Sequence, residues 1–530
     1  MRTPLVCALL CIAATGVAET RFHQYTAQFK QVDDPATPVT LSYLGGESNE
    51  WLAGGGFQGD GSIVVAGTAV GPTFALASGT SVRVLGADGP PPPGDVEVSR
   101  KDRKGRDAIV IDYEYTDGAP FVVKLSPDGG SVLTAVRLPW GSGSCTSAVV
   151  DASGALYIAG VCGPNVDALG ASPVADPDYL DEDARNVRCF VARLDPALGS
   201  VVWAKTYYDE RYAPYLRVTK KGDIAATGGH LAIFAPDGAM REYVKLWLVK
   251  NWCRGVNPVD NSFALGYDRN TGTGREPWRK PYLQIHNADH SMRSMLYAWD
   301  SHYVGIPSLR LVSDSSFRKL FYDDEGMLYL VGWSDGGNSV LGKQPFDIRR
   351  SHGHDGLGWS LWGANALSAC WLIKLDPESG QVKGATTYMA YLGSQNKPSS
   401  LSVKHIGFAT DDSIVLTGGS AFGFIQTGQS KFTGDYVGGS FISIMPPDMG
   451  DLRFAAVVPG TGKVRLANKE RNWSIAAAKV GGRHKVLVVS GAVEDGEQWF
   501  ENPAQQGFGG GTLDGHLAVF DCGPVGSAGE

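Results

Sequence analysis

The feature that most constrains the fold is a module of four short apolar strands that recurs along the chain. Its clearest copy spans residues 144–208, where strands are predicted at residues 146–150 and 155–161 around a glycine-containing turn. After a variable insert, a third strand at residues 190–194 and a fourth at 201–207 complete the copy. Each strand is rich in β-branched or aromatic residues and is bounded by Gly, Pro or Asp, which is typical of short antiparallel strands.

The third strand and its turn are the easiest part of the module to recognise in other copies, because proline presets φ for the turn and glycine accepts a positive φ at its end. Five copies are clear and two are degraded: residues 121–129 (FVVKLSPDG), 190–199 (FVARLDPALG), 231–238 (LAIFAPDG), 371–380 (WLIKLDPESG) and 441–450 (FISIMPPDMG), then 282–287 and 517–523. The second strand recurs at residues 62–67, 156–160, 328–332, 413–418 and 485–491, with weaker copies at 224–228 and 263–266. Together these markers predict seven modules.

The two ends of the chain are predicted to complete one module between them. The chain begins with a lone strand at residues 39–45 and ends on a third strand at residues 517–522, with no fourth strand after it. A four-stranded sheet cannot bury both faces alone, and a closed ring of stacked sheets buries them without leaving long edges. The sequence therefore predicts an all-β fold, a single seven-bladed β-propeller of four-stranded antiparallel blades, closed by pairing of the N-terminal strand with the C-terminal strands.

The repeat pattern resembles that of a known family. An F-V-x-[KR]-L-[DS]-P-x-x-G segment, an apolar strand, a further strand, D-x-x-G and L-Y-I-A-G follow one another, as in the bacterial SBBP-type β-propeller repeat. The resemblance covers about residues 39–523 and is weak between residues 252 and 316. It implies a secreted propeller scaffold and fixes no reaction, because one fold supports many functions.

Long inserts separate the second and third strands of most modules. They lie at about residues 68–120, 163–189, 268–280, 333–370, 420–440 and 493–516. In a four-stranded blade this connection and the blade-to-blade connection leave from the same face, so the inserts are expected to cover one mouth of the ring. We expect any binding site to lie on this insert-covered face.

The N-terminus has the three parts of a signal peptide. Arg2 supplies a positive start, residues 5–14 form an apolar run, and Gly16 and Ala18 are small residues at the −3 and −1 positions before the cleavage point. The predicted organisation is a signal peptide at residues 1–18, an N-terminal extension at 19–38, the propeller at 39–523 and a C-terminal tail at 524–530. No other apolar run is long enough for a transmembrane helix, so we expect a secreted protein, periplasmic or extracellular.

Export changes how the cysteines are interpreted, since disulfides persist in oxidising compartments. Six of the eight cysteines follow the predicted signal peptide, and no C-x-x-C pair is present. The hairpin at residues 146–161 is predicted to fold at Ala152 and Ser153, a register that places Cys145 opposite Cys162 and close to disulfide reach. Two alternatives stay open: a Cys145–Cys162 disulfide, or two free buried thiols.

Tryptophans are the candidate ligand-binding residues of the insert-covered face. A rigid aromatic ring beside a polar rim suits stacking on a sugar ring or anchoring a protein partner. The candidates are Trp333, Trp359, Trp362 and Trp499. The alternative is that these side chains form small cores beneath the inserts.

Two segments carry metal-ligating side chains. His352, His354 and Asp355 place two imidazoles and a carboxylate within four residues, a set that suits Zn²⁺ or Cu²⁺. The acidic stretch at residues 176–183 offers carboxylate oxygens for Ca²⁺. Neither has the spacing of a known motif, and a solvated loop is the alternative for each. No cofactor is predicted beyond a structural Ca²⁺ or Zn²⁺ at these positions.

Charge narrows the range of partners. The net charge of −8, with only 19% charged residues, gives no electrostatic reason to bind nucleic acid. We therefore expect an exported scaffold that binds a protein or glycan through its insert-covered face without catalysis. One alternative is an extracellular polysaccharide-degrading enzyme, a hydrolase or lyase, with its site on the same face. A second alternative is a structural subunit of a surface assembly. The sequence assembles no converging set of catalytic groups.

Overall fold

The computed structural model of the 530-residue chain is built almost entirely from short β-strands. Besides strands, it contains the short 3-10 helices Val166–Leu169 and Val340–Gly342. None of its helices, within the described residues, is long and apolar enough to cross a membrane. The structure describes residues 31–71, 74–76, 78–90, 99–101, 107–111, 117–174, 186–210, 214–244, 253–270, 279–298, 314–334, 340–354, 356, 369–392, 397–399, 401–420, 424–428, 439–458, 464–466, 473–493, 501–511 and 513–526.

Five sheets contain four antiparallel strands each, because short β-branched runs alternate with tight Asp- and Gly-containing turns. The first two are β14 (Tyr215–Val218), β15 (Ile224–Thr227), β16 (Leu231–Phe234) and β17 (Met240–Val244), then β18 (Cys253–Val256), β19 (Phe263–Asn270), β20 (Arg279–His286) and β21 (Met292–Leu296). The next two are β22 (Ser315–Tyr322), β23 (Leu328–Ser334), β26 (Ala369–Leu375) and β27 (Val382–Tyr388), then β30 (Leu401–Phe408), β31 (Ile414–Ser420), β32 (Gly439–Met445) and β33 (Phe454–Val458).

The fifth sheet joins the two ends of the chain. Its strand order is β1 (Thr37–Leu44), β37 (Asp514–Pro524), β36 (Arg483–Val493) and β35 (Trp473–Val480). Strand β1 runs antiparallel to β37, with Leu41 opposite Ala518, so the terminal pairing expected from the sequence is present. The buried side chain of Arg453 adds a second tie, because Nε donates to the carbonyl oxygen of Asp34 at 3.2 Å and Nη2 donates to the carbonyl oxygen of Cys522 at 2.5 Å.

The prediction of seven separate four-stranded blades is wrong, because the remaining large sheet has ten strands. Two four-stranded sets are joined by a parallel bridge between Gly54 and Ala148. A Cβ atom at Gly54 would lie 2.4 Å from the carbonyl oxygen of Ala148, so only glycine lets the two backbones meet. The strands are β2 (Glu50–Phe57), β3 (Ile63–Ala69), β4 (Val82–Val84), β7 (Ala119–Leu125), β8 (Val132–Arg137), β9 (Gly143–Val150), β10 (Leu156–Cys162), β11 (Ala171–Pro173), β12 (Asn186–Leu194) and β13 (Val201–Glu210).

Smaller sheets lie in the connections between the larger ones. Strand β6 (Asp107–Ile111) pairs with β5 (Ser99–Lys101) on one side and with β34 (Val464–Leu466), from a distant part of the chain, on the other. The other two are hairpins: β24 (Lys343–Gln344) with β25 (Asp347–Ser351), and β28 (Ala390–Leu392) with β29 (Lys397–Ser399). The β24–β25 hairpin lies between β23 and β26 in the chain, so the insert after β23 contains a hairpin.

The core lies between neighbouring sheets and not within any single one. The sheet that joins the two ends packs Val486 and Phe520 against Ile442 of the β30–β33 sheet on one side. On its other side it packs Leu487 against Phe121 of the ten-stranded sheet. Each fully buried side chain of this size stabilises the fold by roughly 1.5–3 kcal/mol. The sheets therefore stack in the circular arrangement of a β-propeller.

Candidate functional site

Trp333 lies near the end of β23, at the point where the chain leaves the sheet for the 335–368 connection. It pairs with Cys370 of β26 on one side and with Ser316 of β22 on the other. Its side chain is half-buried, and its Nε1–H group makes no hydrogen bond to any described residue. Trp359, Trp362 and Trp499, the other three tryptophans expected at this face, lie outside the described residues.

Two arginines lie against the Trp333 ring. The guanidinium carbon of Arg318, from β22, is 4.6 Å from the ring centroid, and that of Arg279, from β20 of the neighbouring sheet, is 5.9 Å away. Both distances fall within the range of a cation–π interaction. The ring therefore belongs to an aromatic and cationic cluster, which sequence analysis missed.

Carboxylates hold Arg279 in place. Its Nε and Nη2 groups donate to Oδ2 of Asp314 at 2.9 and 2.7 Å, and Nη1 donates to Asp268 Oδ2 at 3.5 Å. The side chain of Asp268 is almost fully buried, so this contact holds the Arg279 guanidinium on its buried side. Arg318 is an exposed residue, and it presents the second guanidinium at the surface.

A pocket opens beside this cluster, and we call it the Trp333 pocket. It is shallow, with a volume of about 30 Å³, and eight described residues line it. The lining combines Trp333 and Arg318 with Cys370 of β26 and the first three residues of β30, Leu401, Ser402 and Val403. The pocket therefore lies between two neighbouring sheets, on the face from which the insert after β23 departs.

The histidines proposed as metal ligands are bonded to the backbone. His352 Nε2 lies 3.1 Å from the carbonyl oxygen of Leu341, and its Nδ1 accepts a hydrogen bond from the His354 amide at 3.1 Å. His354 Nε2 lies 3.0 Å from the carbonyl oxygen of Val382. Burial lowers the pKa of His352 to about 4, so this imidazole is neutral at physiological pH.

Metal binding at these histidines would require rearrangement of these hydrogen bonds. Both ring nitrogens of His352 already have backbone partners, and Asp355 lies outside the described residues. The acidic stretch at residues 176–183 also lies outside them. Where side chains are described, three His, Cys, Asp or Glu residues nowhere come together as a metal-ligating group.

The predicted register of the Cys145 hairpin is wrong. Cys145 lies opposite Gly160, and Cys162 lies opposite Gly143, because the ladder shifts between Ala159 and Gly160. Diagonal neighbours of this kind are about 7–8 Å apart, beyond disulfide reach. Cys145 and Cys162 are therefore free thiols, and burial raises the pKa of both to about 12.

A pair of buried carboxyl groups, Glu50 and Asp514, lies where the two ends of the chain meet. Both side chains are fully buried. The Gly46 amide donates to Glu50 Oε2 at 3.0 Å, and the Gly509 amide donates to Asp514 Oδ2 at 2.6 Å. Burial first, and then the charge of Asp514, raise the pKa of Glu50 well above its usual range. Because both carboxyl groups are fully buried, a substrate in solution does not reach them.

A tyrosine–histidine pair connects sheets that are not neighbours in the ring. Tyr215 Oη of β14 lies 3.0 Å from His405 Nε2 of β30, and the ring of Phe321 from β22 packs edge-on against the imidazole at 5.0 Å. Burial, reinforced by the positive charges of Lys319 and Arg217, lowers the pKa of His405 to about 3. Strands β14, β22 and β30 therefore meet at a neutral imidazole.

One sequence signal could have identified the cationic part of the site. Strand β22 reads SSFRKLFY, and its consecutive Arg318 and Lys319 interrupt an otherwise apolar alternation. A register shift between Phe317 and Lys319 interrupts the alternation of the strand at this point. The carboxyl pair had no such signal, because Glu50 and Asp514 are far apart in sequence and only ring closure brings them together.

Comparison with known proteins identifies neither a family nor a function for this chain. No protein-family model matches the chain, and no curated protein matches it. A protein of unknown function from Dyadobacter fermentans DSM 18053 is 11% identical with a TM-score of 0.37, over 92% of this chain and all of that one. The β-propeller domain of the Trilobed protease from Pyrococcus furiosus is 8% identical with a TM-score of 0.37, over 86% and 96%. The periplasmic gluconolactonase PpgL from Pseudomonas aeruginosa is 11% identical with a TM-score of 0.32, over 77% and 99%. The chain has a β-propeller fold, and its structural neighbours have diverse functions.

Proposed function

We propose that this protein is an exported β-propeller of the SBBP-type repeat class that binds a glycan at the Trp333 pocket without transforming it. The observation that carries the proposal is the half-buried indole of Trp333 with the guanidinium carbon of Arg318 4.6 Å from its ring centroid, at the edge of the shallow Trp333 pocket. An aromatic ring next to a cation and a small number of polar groups is a common recognition site for a polar ring-shaped ligand.

The space beside Trp333 is shallow. It encloses about 30 Å³, far less than the roughly 300–1,000 Å³ of an enclosed small-molecule pocket. The proposed glycan therefore lies across the indole of Trp333 and does not enter a cavity, with the rest of the polysaccharide extending over the insert-covered face.

The titratable groups support binding over catalysis. Among its described lining residues the pocket has the Cys370 thiol, whose pKa is raised to about 12 by burial, and no carboxyl group. The paired carboxyl groups of Glu50 and Asp514 are fully buried elsewhere in the ring. A general acid and base must reach the reacting atoms, and neither position provides such a pair.

A binding assay with two readouts tests the proposal. The purified protein is mixed with a panel of soluble and insoluble polysaccharides, and both retained protein and new reducing or unsaturated ends are measured. We expect retention on at least one polysaccharide without new chain ends. New ends would replace the proposal with an enzyme, and the absence of both signals on every polysaccharide would refute glycan binding.

Substitution of Trp333 assigns the site. Trp333→Ala is expected to cost about 2 kcal/mol of binding free energy, a loss of affinity of roughly 30-fold. The matched control is Trp203→Ala, because Trp203 is also half-buried but lies on β13 with its Nε1 bonded to the Pro236 carbonyl oxygen at 2.9 Å. Equal losses in the two variants would argue against the Trp333 pocket.

A further inference from the structure

We propose that strand β21 is the contact through which two copies of this chain associate, edge to edge and antiparallel, about a two-fold axis. This contact lies on the outer side of the propeller and is independent of glycan binding at Trp333. Three features of β21 support it: an uncovered edge, exposed apolar side chains on both faces of that edge, and opposite charges at its two ends.

Elsewhere in the molecule, the outer strand of a sheet is covered by a segment of an insert. Strand β4 pairs with β8, and β11 pairs with β13, in both cases parallel. The Gly356 amide donates to the carbonyl oxygen of Ala385 in β27 at 2.9 Å. Glu501 forms a bridge with Leu41 of β1. An unpaired edge promotes association with another chain, and these segments close four such edges.

Strand β21 (Met292–Leu296) has no such cover in the described part of the chain. Its backbone pairs with β20 on the inner side, and no described strand pairs with its outer side. Directly after the strand, the Tyr297 amide donates to the carbonyl oxygen of Pro345 at 2.9 Å, so the β24–β25 hairpin lies at this end of the edge. The edge between the turn before β21 and this hairpin is therefore open to a further strand.

Two exposed methionines lie on one face of this edge. Met292 and Met295 are 52% and 39% exposed. Met292 lies opposite His286, and Met295 lies opposite Gln284, with a register shift between them. Residues two apart in a strand point to the same face, so the shift places both methionines on the same side of the sheet.

The other face of the edge carries Phe346, at the turn of the β24–β25 hairpin. Leu296 faces the core shared with the sheet of β22, β23, β26 and β27. The Phe346 ring lies beside it, because both side chains approach the position that a Cβ atom of Gly380 would occupy. Of the six large apolar side chains that are exposed among the described residues, three therefore gather at this edge. Such clustering marks an interaction site.

The faces of β21 are compatible with pairing to a copy of itself. Residues directly opposite in an antiparallel pair share a face, so Met292 of one copy meets Met295 of the other, and Arg293 meets Ser294. A two-fold axis between the strands creates each contact twice. Four flexible methionine side chains then form one apolar cluster. The charge of Arg293 is balanced within its own copy by Glu378.

The charges at the two ends of β21 complement each other in this arrangement. The register places the exposed Asp289 of one copy level with Ala298 of the other, beside the β24–β25 hairpin. This hairpin carries Arg350, which is 81% exposed and lies 3.7 Å from Asp347. The antiparallel pairing thus brings an acidic turn and a basic hairpin together at each end of the contact, which favours a second copy over an unrelated strand.

Sedimentation equilibrium of the purified protein tests the association. A contact of one strand edge is smaller than a standard interface, so we expect a micromolar dissociation constant. The average mass should rise from one chain towards two as the concentration increases from about 1 to about 200 µM. A mass that stays at one chain refutes the proposal, and so does growth beyond two chains, because two-fold pairing is closed.

A lysine substitution assigns the contact to β21. Met295→Lys places a charge in the methionine cluster and should weaken dimerisation at least about tenfold. Leu133→Lys is the matched control, because Leu133 is 53% exposed but lies on β8, whose outer edge is paired with β4. Thermal unfolding verifies that both variants are folded. Equal effects of the two substitutions on the dimer would show that the contact lies elsewhere.

Cysteine variants test the register and do not depend on weakening the dimer. Met292→Cys and Met295→Cys are mixed under mild oxidation, and linked chains are measured by non-reducing electrophoresis against wild type as background. Opposite positions lie within disulfide reach, so the mixture should form a linked dimer, whereas neither variant should do so alone. Linkage that is no greater in the mixture than in the separate variants would overturn the proposed pairing.

Discussion

Acid is expected to destabilise the ring at His405, whose imidazole is buried against Tyr215 and Phe321. Its pKa is about 3 in the folded protein, below the ordinary value of 6.5, because burial and two nearby positive charges disfavour the imidazolium. The unfolded chain therefore takes up a proton first as the pH falls. The stability that His405 contributes at neutral pH is lost progressively as the pH falls from about 6.5 towards 3.

The size of this effect follows from the two pKa values. At pH 5 almost every unfolded chain carries the extra proton and almost no folded chain does. Proton linkage then gives a loss of about 2 kcal/mol in the free energy of unfolding between pH 7.5 and pH 5. His352 and His516 are also buried, with pKa values of about 4, so the protein as a whole loses more than this.

A comparison of variants isolates the contribution of His405. Urea unfolding is measured from pH 7.5 to pH 5 for the wild type, for His405→Gln, which cannot titrate, and for Tyr215→Phe, which keeps the imidazole. We expect the wild type to lose about 2 kcal/mol relative to His405→Gln over this range. Tyr215→Phe should follow the wild type. A difference between wild type and His405→Gln that stays constant with pH would refute the assignment of a depressed pKa.

Three further predictions concern ring closure and the ten-stranded sheet. Glu50→Gln should gain stability relative to the wild type as the pH rises from 5 to 8. Because the pKa of Glu50 is raised in the folded protein, the unfolded chain releases this proton first and the wild type loses stability with rising pH. The opposite trend in urea unfolding would contradict a buried protonated carboxyl group at Glu50. Arg453→Met should cost about 3 kcal/mol in the same assay, because it leaves Asp411 partly buried without its partner, and a loss below about 1 kcal/mol would contradict this role. Gly54→Ala should cost about 2 kcal/mol and speed hydrogen exchange of the Ala148 amide, whereas the control Gly59→Ala has open space around its Cβ position and should be neutral.

The strand pattern was predictable because it depends on local chemistry. Short apolar runs bounded by Asp, Pro and Gly form strands and turns largely independently of their surroundings, so the predicted third strands at residues 121–129 and 441–450 correspond to β7 and β32. The terminal pairing was predictable by counting strands, because a lone first strand and a missing last strand complement each other. Trp333 could be placed at the end of a second strand by the same reasoning.

The division into separate sheets could not be predicted in this way. The bridge between Gly54 and Ala148 depends on how closely two innermost strands approach, and glycine permits that approach without specifying it. The register of Cys145 failed for a similar reason, since the shift at Gly160 has no counterpart in the apolar alternation. Local pattern specifies which segments are strands, and the contact between backbones decides where a sheet ends.

By itself, the sequence determined an all-β propeller architecture joined through its two ends, and it placed Trp333 at the end of a strand. Only the tertiary structure decided what surrounds the tryptophan. Arg318, Arg279 and Cys370 come from three strands in two sheets and meet at Trp333 because the sheets stack with a particular offset. The carboxyl pair of Glu50 and Asp514 likewise exists only once the ends of the chain are joined. Strand formation depends on neighbours in sequence, whereas a site depends on neighbours in space, which the packing of the sheets creates.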